Sequence, residues 1–242
     1  MHGPFRGMAY PPYAADKMLL LRLLGTYECE LHSAIEQLCA LQPDVIVNAG
    51  AGEGYYAVGL ARRVQTAKIF AYDGFTWARH LLRKTVAINQ VSDRVEIHGL
   101  ITPQELERVL KPAKTPLLIC DVEGYEFVLM DDSLVPSLSR TAVLLELHRG
   151  LMPNVTYMAE EMRERFAQTH RLTFIPDRKR TKTDLPPEVS QLSDVLLAEV
   201  DEYRFRGTRQ SWLLLEPLRQ QEPIRDYFGF KGLSAHCRIS QT

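Results

Sequence analysis

The chain has 242 residues, a length that suits one to two α/β domains. Apolar residues make up 45% and charged residues 24%, the ordinary globular balance, which excludes wholesale disorder and a fibrous chain. Twenty-nine Lys and Arg against 30 Asp and Glu leave a formal charge of −1, so no global field draws the chain onto a polyanion, and nucleic acid is not an expected partner.

Residues 1–14, with Pro4, Pro11 and Pro12, read as an irregular arm. From Ala15 to Ala40 apolar residues recur at helical spacing (Leu20, Leu23, Leu24, then Leu31, Ile35, Leu38), and Gly25 divides them into two helices. These either cover a sheet edge or form a lid. The period then changes. Asp44 to Asn48 is a short run rich in β-branched residues that ends in glycines, the pattern of a buried parallel strand. A helix follows over Tyr55–Val64, a strand over Lys68–Tyr72, a helix over Trp77–Asn89 and a strand over Arg94–Gly99. Thr102, Pro103 and Glu105 open a helix to Leu110 as N-cap, first position and capping-box partner. A strand over Pro116–Cys120, a short helix over Tyr125–Met130, a strand over Ala142–Leu147 and a helix over Tyr157–Phe166 continue the alternation. This rhythm predicts an α/β fold: a parallel sheet with helices on both faces.

The end breaks the rhythm. Arg171–Ile175 reads as a sixth strand, Asp194–Tyr203 as a helix and Ser211–Glu216 as a last strand. No helix of crossover length follows Gly207, which favours an antiparallel last strand. Between them Arg178-Lys179-Arg180-Thr181-Lys182 is a basic run, either a solvated face or a contact for an anionic group. The boundaries expected are an arm with covering helices over 1–41, the α/β domain over 42–217 and a tail over 218–242. The best apolar stretch, Met18 to Leu24, is short and interrupted by Arg22, and it lacks a signal-peptide cleavage site. The four cysteines (Cys29, Cys39, Cys120, Cys237) show no C-x-x-C spacing. Both features lead us to expect a cytoplasmic protein with no membrane partner.

The strongest local signal is Asn48-Ala-Gly50-Ala-Gly52-Glu53-Gly54-Tyr55, between the first strand and its helix. Three glycines in five residues exceed the need of a tight turn and let the backbone approach a ligand. A dinucleotide fingerprint needs its third glycine one residue later, where Tyr55 stands, and a phosphate loop needs G-K-[ST], which is absent. Asp73 ends the second strand, where a carboxylate accepts hydrogen bonds from ribose hydroxyls or caps a helix. Gly74 and Phe75 follow it, and the ring either packs on adenine or joins the core. The fourth strand ends in Cys120-Asp121-Val122-Glu123-Gly124-Tyr125-Glu126 and the fifth in Glu146-Leu147-His148. Ligands of open parallel sheets bind beyond the carboxyl ends of the strands, so Asp121, Glu123, Glu146 and His148 are expected to converge beside the glycine loop.

The sequence resembles class I S-adenosylmethionine (SAM)-dependent methyltransferases, and among them the FkbM-type family. The resemblance covers Gly25 to Pro217. It rests on V-N-A-G-A-G-E-G-Y-Y at 47–56, A-Y-D at 71–73, A-I-N-Q-V-S-D-R-V at 87–95 and above all C-D-V-E-G-Y-E at 120–126. It implies a Rossmann-like seven-stranded, mostly parallel sheet with an antiparallel last strand, SAM as methyl donor and a hydroxyl of a small molecule or sugar as acceptor. Carried over by position, Gly50, Gly52 and Gly54, with Asn48 and Glu53, line the methionine part. Asp73, Gly74 and Phe75 take the ribose and adenine, and Asp121 sits by the sulfonium or the acceptor. Where many relatives have an acidic residue, this chain has Asn48. For the chemistry we expect His148 as general base, with Asp121 as second candidate or as its orienter, and Glu146 beside them. An alternative has Asp121, Glu123 and Glu146 hold Mg²⁺. Two other functions stay open: a non-catalytic protein on the same fold, and a nicotinamide-dependent oxidoreductase.

Overall fold

In the computed structural model, which describes residues 2–11, 18–148, 155–199 and 211–218, seven strands form one sheet. They are β1 (Val45–Ala49), β2 (Lys68–Tyr72), β3 (Val95–His98), β4 (Pro116–Cys120), β5 (Ala142–Leu147), β6 (His170–Pro176) and β7 (Ser211–Pro217). Their order is β3-β2-β1-β4-β5-β7-β6. β1 to β5 are parallel, and β7 runs antiparallel to both β5 and β6. This is the Rossmann-like architecture expected above, with the last strand reversed. Every residue of β4 and β5 is buried, as their unbroken apolar runs require in a sheet covered on both faces.

The helices are α1 (Leu19–Leu24), α2 (His32–Ala40), α3 (Tyr55–Arg63), α4 (Thr76–Ile88), α5 (Pro103–Leu110), α6 (Glu126–Leu129), α7 (Val155–Phe166) and α8 (Ser193–Glu199). Strand alternation divides the core. Ile46, Ile119 and Leu144 face α1 to α4 through Leu21, Ile35, Val58 and Leu82, and Val47, Leu118 and Val143 face α5 and α7 through Leu106, Val109, Met158 and Phe166. Thr102 caps α5 as its sequence predicts, accepting from Glu105 N at 3.2 Å. The expected helix beyond Glu199, the turn at Gly207 and the tail after Leu218 lie outside the described residues, as do residues 12–17, the end of the expected arm and the start of the expected first helix. Among the described residues no helix is long and apolar enough to cross a membrane.

Register explains why the site residues meet. Ala49 stands opposite both Tyr72 and Cys120, and Cys120 stands opposite Leu145. The next residue along each of these four strands is therefore Gly50, Asp73, Asp121 and Glu146. All four emerge from one edge of the sheet.

The basic run is exposed except at Arg180, which is buried, and both of its arginines are paired. Arg178 pairs with Asp184 at 2.6 Å, and Arg180 is buried, pairing with Glu30 at 2.7 Å and donating to Thr26 O at 2.9 Å. Through Arg180 the run fastens the segment after β6 to the N-terminal segment, while Lys179 and Lys182 remain exposed.

That N-terminal segment is in turn fastened to the glycine loop. Arg22 on α1 forms an ion pair with Glu53, with side-chain exposures of 8% and 12%, and lies over the rings of Tyr27 and Tyr55. Tyr56 donates its hydroxyl to the buried Glu28 carboxylate. Removing one partner of a buried pair strands the other charge, at a cost of about 3–5 kcal/mol. Arg22→Met is therefore expected to lose stability of that order in urea denaturation. Arg22→Met with Glu53→Gln should recover much of it, and a double variant that merely sums the two single losses would show that these side chains do not couple.

Candidate active site

The loop between β1 and α3 is shaped by its glycines in two different ways. Gly50 has φ +76°, and a Cβ there would stand 1.5 Å from the Asp121 carbonyl oxygen. The backbones of β1 and β4 close on each other at that point, so Gly50 serves the fold. Gly52 has φ +52°, and a Cβ there would meet nothing within 4 Å. The space beside it is open. The amides of Gly50 and Ala51 both donate to Tyr72 O, at 2.9 and 2.8 Å, which draws the loop towards the end of β2.

Asp73 lies at that end and is largely buried. One carboxylate oxygen accepts from Gly52 N at 2.8 Å and the other from Phe75 N at 2.7 Å. The carboxylate thus fixes the loop, and each oxygen keeps a second lone pair. Arg79 of α4 holds the same turn, donating to Asp73 O at 2.7 Å and Gly74 O at 2.9 Å. Phe75 is 65% exposed and 6.1 Å from the equally exposed Trp77 ring, so the alternative of a core phenylalanine is excluded. Glu53 faces Arg22, and Asn48 is fully buried beneath the loop, with neither amide atom hydrogen-bonded among the described residues.

The second half of the site is built by β4, β5 and α6. After Asp121 the chain turns through two left-handed residues, Glu123 at φ +53° and Gly124 at φ +105°. Positive φ is costly for a non-glycine residue. This turn brings the fully buried Glu126, at the start of α6, under His148. His148 Nδ1 lies 2.6 Å from Glu126 Oε1, the contact of an imidazole N–H donating to a carboxylate. The opposite nitrogen, Nε2, lies 3.3 Å from Glu123, 3.6 Å from Asp121 and 3.7 Å from Glu146. Glu146 is fully buried, whereas the Glu123 side chain is 79% exposed. Burial lowers the His148 pKa, but the Glu126 hydrogen bond and the charges of Asp121, Glu126 and Glu123 outweigh it, and the net shift is upward.

The chain's sequence matches no family model and no curated protein. Among solved structures it is similar to the O-methyltransferase TomG from Streptomyces achromogenes in complex with SAM (13% identity, 87% of this chain and 92% of that one, TM-score 0.47). It is similar also to cofactor-bound Rv0187 from MTB (13% identity, 88% and 85%, TM-score 0.49). A third likeness is to the precorrin-6y C5,15-methyltransferase from Geobacter metallireducens (8% identity, 76% and 87%, TM-score 0.47). At these identities and scores the likenesses assign no activity and no residue role.

Asp121, Glu146 and His148 therefore meet as the sequence leads us to expect, and Glu123 reaches the same point from the solvent side. Sequence reasoning missed two residues. Glu126 is visible in C-D-V-E-G-Y-E, but its pairing with His148 follows from the turn at Glu123-Gly124. Arg22 carries no local signal, since its partner lies in the loop, 31 residues away.

Proposed function

We propose that the protein is a SAM-dependent methyltransferase of the FkbM type, acting in the cytoplasm on a hydroxyl of a small molecule or sugar. The observation that carries this reading is the open space at Gly52 beside the Asp73 carboxylate. It lies at the edge where β1 turns to β2 on one side and β4 on the other, the crevice where open α/β sheets take their ligands. A glycine that no packing demands, next to an anchored carboxylate with lone pairs to spare, suits a ribose-bearing ligand without phosphate. Gly50, Gly52 and Gly54 would shape the wall against the methionine part. Asp73 would accept from the ribose hydroxyls, and Gly74 and Phe75 would offer a flat exposed face to adenine. SAM supplies a methyl group on a sulfonium, so its leaving group needs no acid.

The protein's task is alignment. Holding an acceptor against the donor contributes about 7–11 kcal/mol where both are fixed. Asp121, Glu146 and His148 edge the space beyond the loop, where an acceptor hydroxyl would lie and lose its proton. Calorimetric titration with SAM, S-adenosylhomocysteine and NAD tests the reading. SAM and S-adenosylhomocysteine binding with no NAD binding is expected, and tight NAD binding alone would replace the reading with the oxidoreductase. Turnover against a panel of hydroxylated metabolites then separates an enzyme from a binding protein.

Asp73→Ala is expected to weaken SAM and S-adenosylhomocysteine by the same amount, about 1.5–3 kcal/mol, because both carry the ribose and the lost bonds involve a charged acceptor. Asp73→Asn, which keeps one oxygen for the loop amide, should lose less. Affinities that shift by very different amounts for the two ligands would mean that Asp73 acts on the sulfonium end.

A further inference from the structure

We propose that Asp121, Glu146 and His148 together bind one divalent first-row transition-metal cation. One ligand atom from each of the three lies within 4.8 Å of the others. The distances are informative. Nε2 of His148 stands 3.6 Å from Asp121 Oδ1 and 3.7 Å from Glu146 Oε2. Both are too long for a hydrogen bond. Two donors bound to one metal at about 2.1 Å in tetrahedral array stand about 3.4 Å apart, close to what is seen here.

The histidine supplies an independent observation. His148 is 9% exposed, and its Nε2, 3.3 Å from the exposed Glu123 carboxylate at the mouth, makes no hydrogen bond among the described residues although it points into the carboxylates. Its Nδ1 is held by the fully buried Glu126. A metal-bound imidazole almost always donates its other N–H to a carboxylate or carbonyl, which fixes the ring and leaves the far nitrogen free to coordinate. Glu126 has that position.

The donor set selects the ion. Two carboxylates alone would suit Mg²⁺, but an imidazole nitrogen favours Mn²⁺, Fe²⁺ or Zn²⁺. This differs from the Mg²⁺ alternative read from sequence. His148 takes the place of Glu123, whose exposed side chain stands at the mouth. Three protein ligands leave positions open. The role we give the cation, to hold an acceptor hydroxyl and lower its pKa, rests on the methyl-transfer reading. Its binding does not.

The full chain, stripped with chelator, is titrated with Mn²⁺ while the resonance of the free ion is followed by electron paramagnetic resonance. One Mn²⁺ per chain is expected, displaced by Zn²⁺. His148→Ala and Glu146→Gln should each weaken binding more than tenfold. Glu126→Gln should weaken it by about 10–100-fold through loss of orientation. Glu164→Gln on α7 should not change it. Absence of saturable binding to the unaltered chain overturns the proposal, as does undiminished affinity in both His148→Ala and Glu146→Gln. SAM calorimetry and a thermal transition on each variant report folding, and Glu146→Gln, nearly isosteric, carries the test if His148→Ala unfolds. If SAM binds and Mn²⁺ does not, the cation site falls alone. If Mn²⁺ binds and SAM does not, the cofactor reading falls and the site stands.

Discussion

Gly52→Val abolishes SAM binding in a chain that still folds: this is the expected result of a calorimetric titration paired with thermal unfolding. A side chain at Gly52 meets no protein atom within 4 Å, so the folded state has room for it. The left-handed backbone adds a cost of about 1–2 kcal/mol, which lowers the melting temperature by a few degrees. The valine would fill the space assigned to the ligand. An affinity loss of at least a hundredfold, about 2.8 kcal/mol, is expected. Gly50→Ala gives the opposite pattern. Its Cβ would lie 1.5 Å from the Asp121 carbonyl oxygen, so the chain loses stability with or without ligand. Unchanged SAM affinity in Gly52→Val would remove the loop from the cofactor site.

Turnover is expected to fall by about 10²–10⁴ in His148→Ala, the range for loss of a group that manages an acceptor's proton, directly or by holding what does. SAM affinity should stay within twofold, because His148 lies beyond the loop, among Asp121, Glu123, Glu126 and Glu146. Glu126→Gln keeps the shape and one acceptor oxygen but removes the charge under Nδ1, and a smaller loss in kcat is expected. Loss of SAM binding together with turnover would mark His148 as a structural residue of the β5 edge.

The sheet was legible because its signals are local. Val45-Ile46-Val47 and Pro116 to Cys120 are apolar runs stopped by glycine or charge, and the observed β2, β4 and β5 begin and end where the pattern predicts. The reversal of β7 was legible too, from the missing crossover helix. At the site, sequence located the edge but not the contacts. Gly50 and Gly52 look alike in a motif, and what separates them is the distance between the β1 and β4 backbones. Glu126 and His148 are 22 residues apart, and they meet through a turn that Glu123 completes against its own conformational preference. Arg22 and Arg180 read as charges on amphipathic or solvated segments. Each is buried because a carboxylate far along the chain, Glu53 or Glu30, waits for it.

The place of β7 bears on how the chain is made. β7 lies between β5 and β6, so neither of those strands completes its ladder until residues 211–217 have been synthesised. At ribosomal speeds of 5–20 residues per second, the interval between the end of β5 and the start of β7 is on the order of 3–13 s. Throughout it the nascent chain carries an apolar strand, Ala142–Leu147, with one unsatisfied edge, and once residue 176 is made it also carries β6 with no sheet partner. An open edge of that composition is a template for pairing with another chain. β7 is therefore the closing stave of the sheet, and nascent chains arrested just short of residue 211 should be held by chaperones or aggregate, although every residue of the proposed site has already been synthesised.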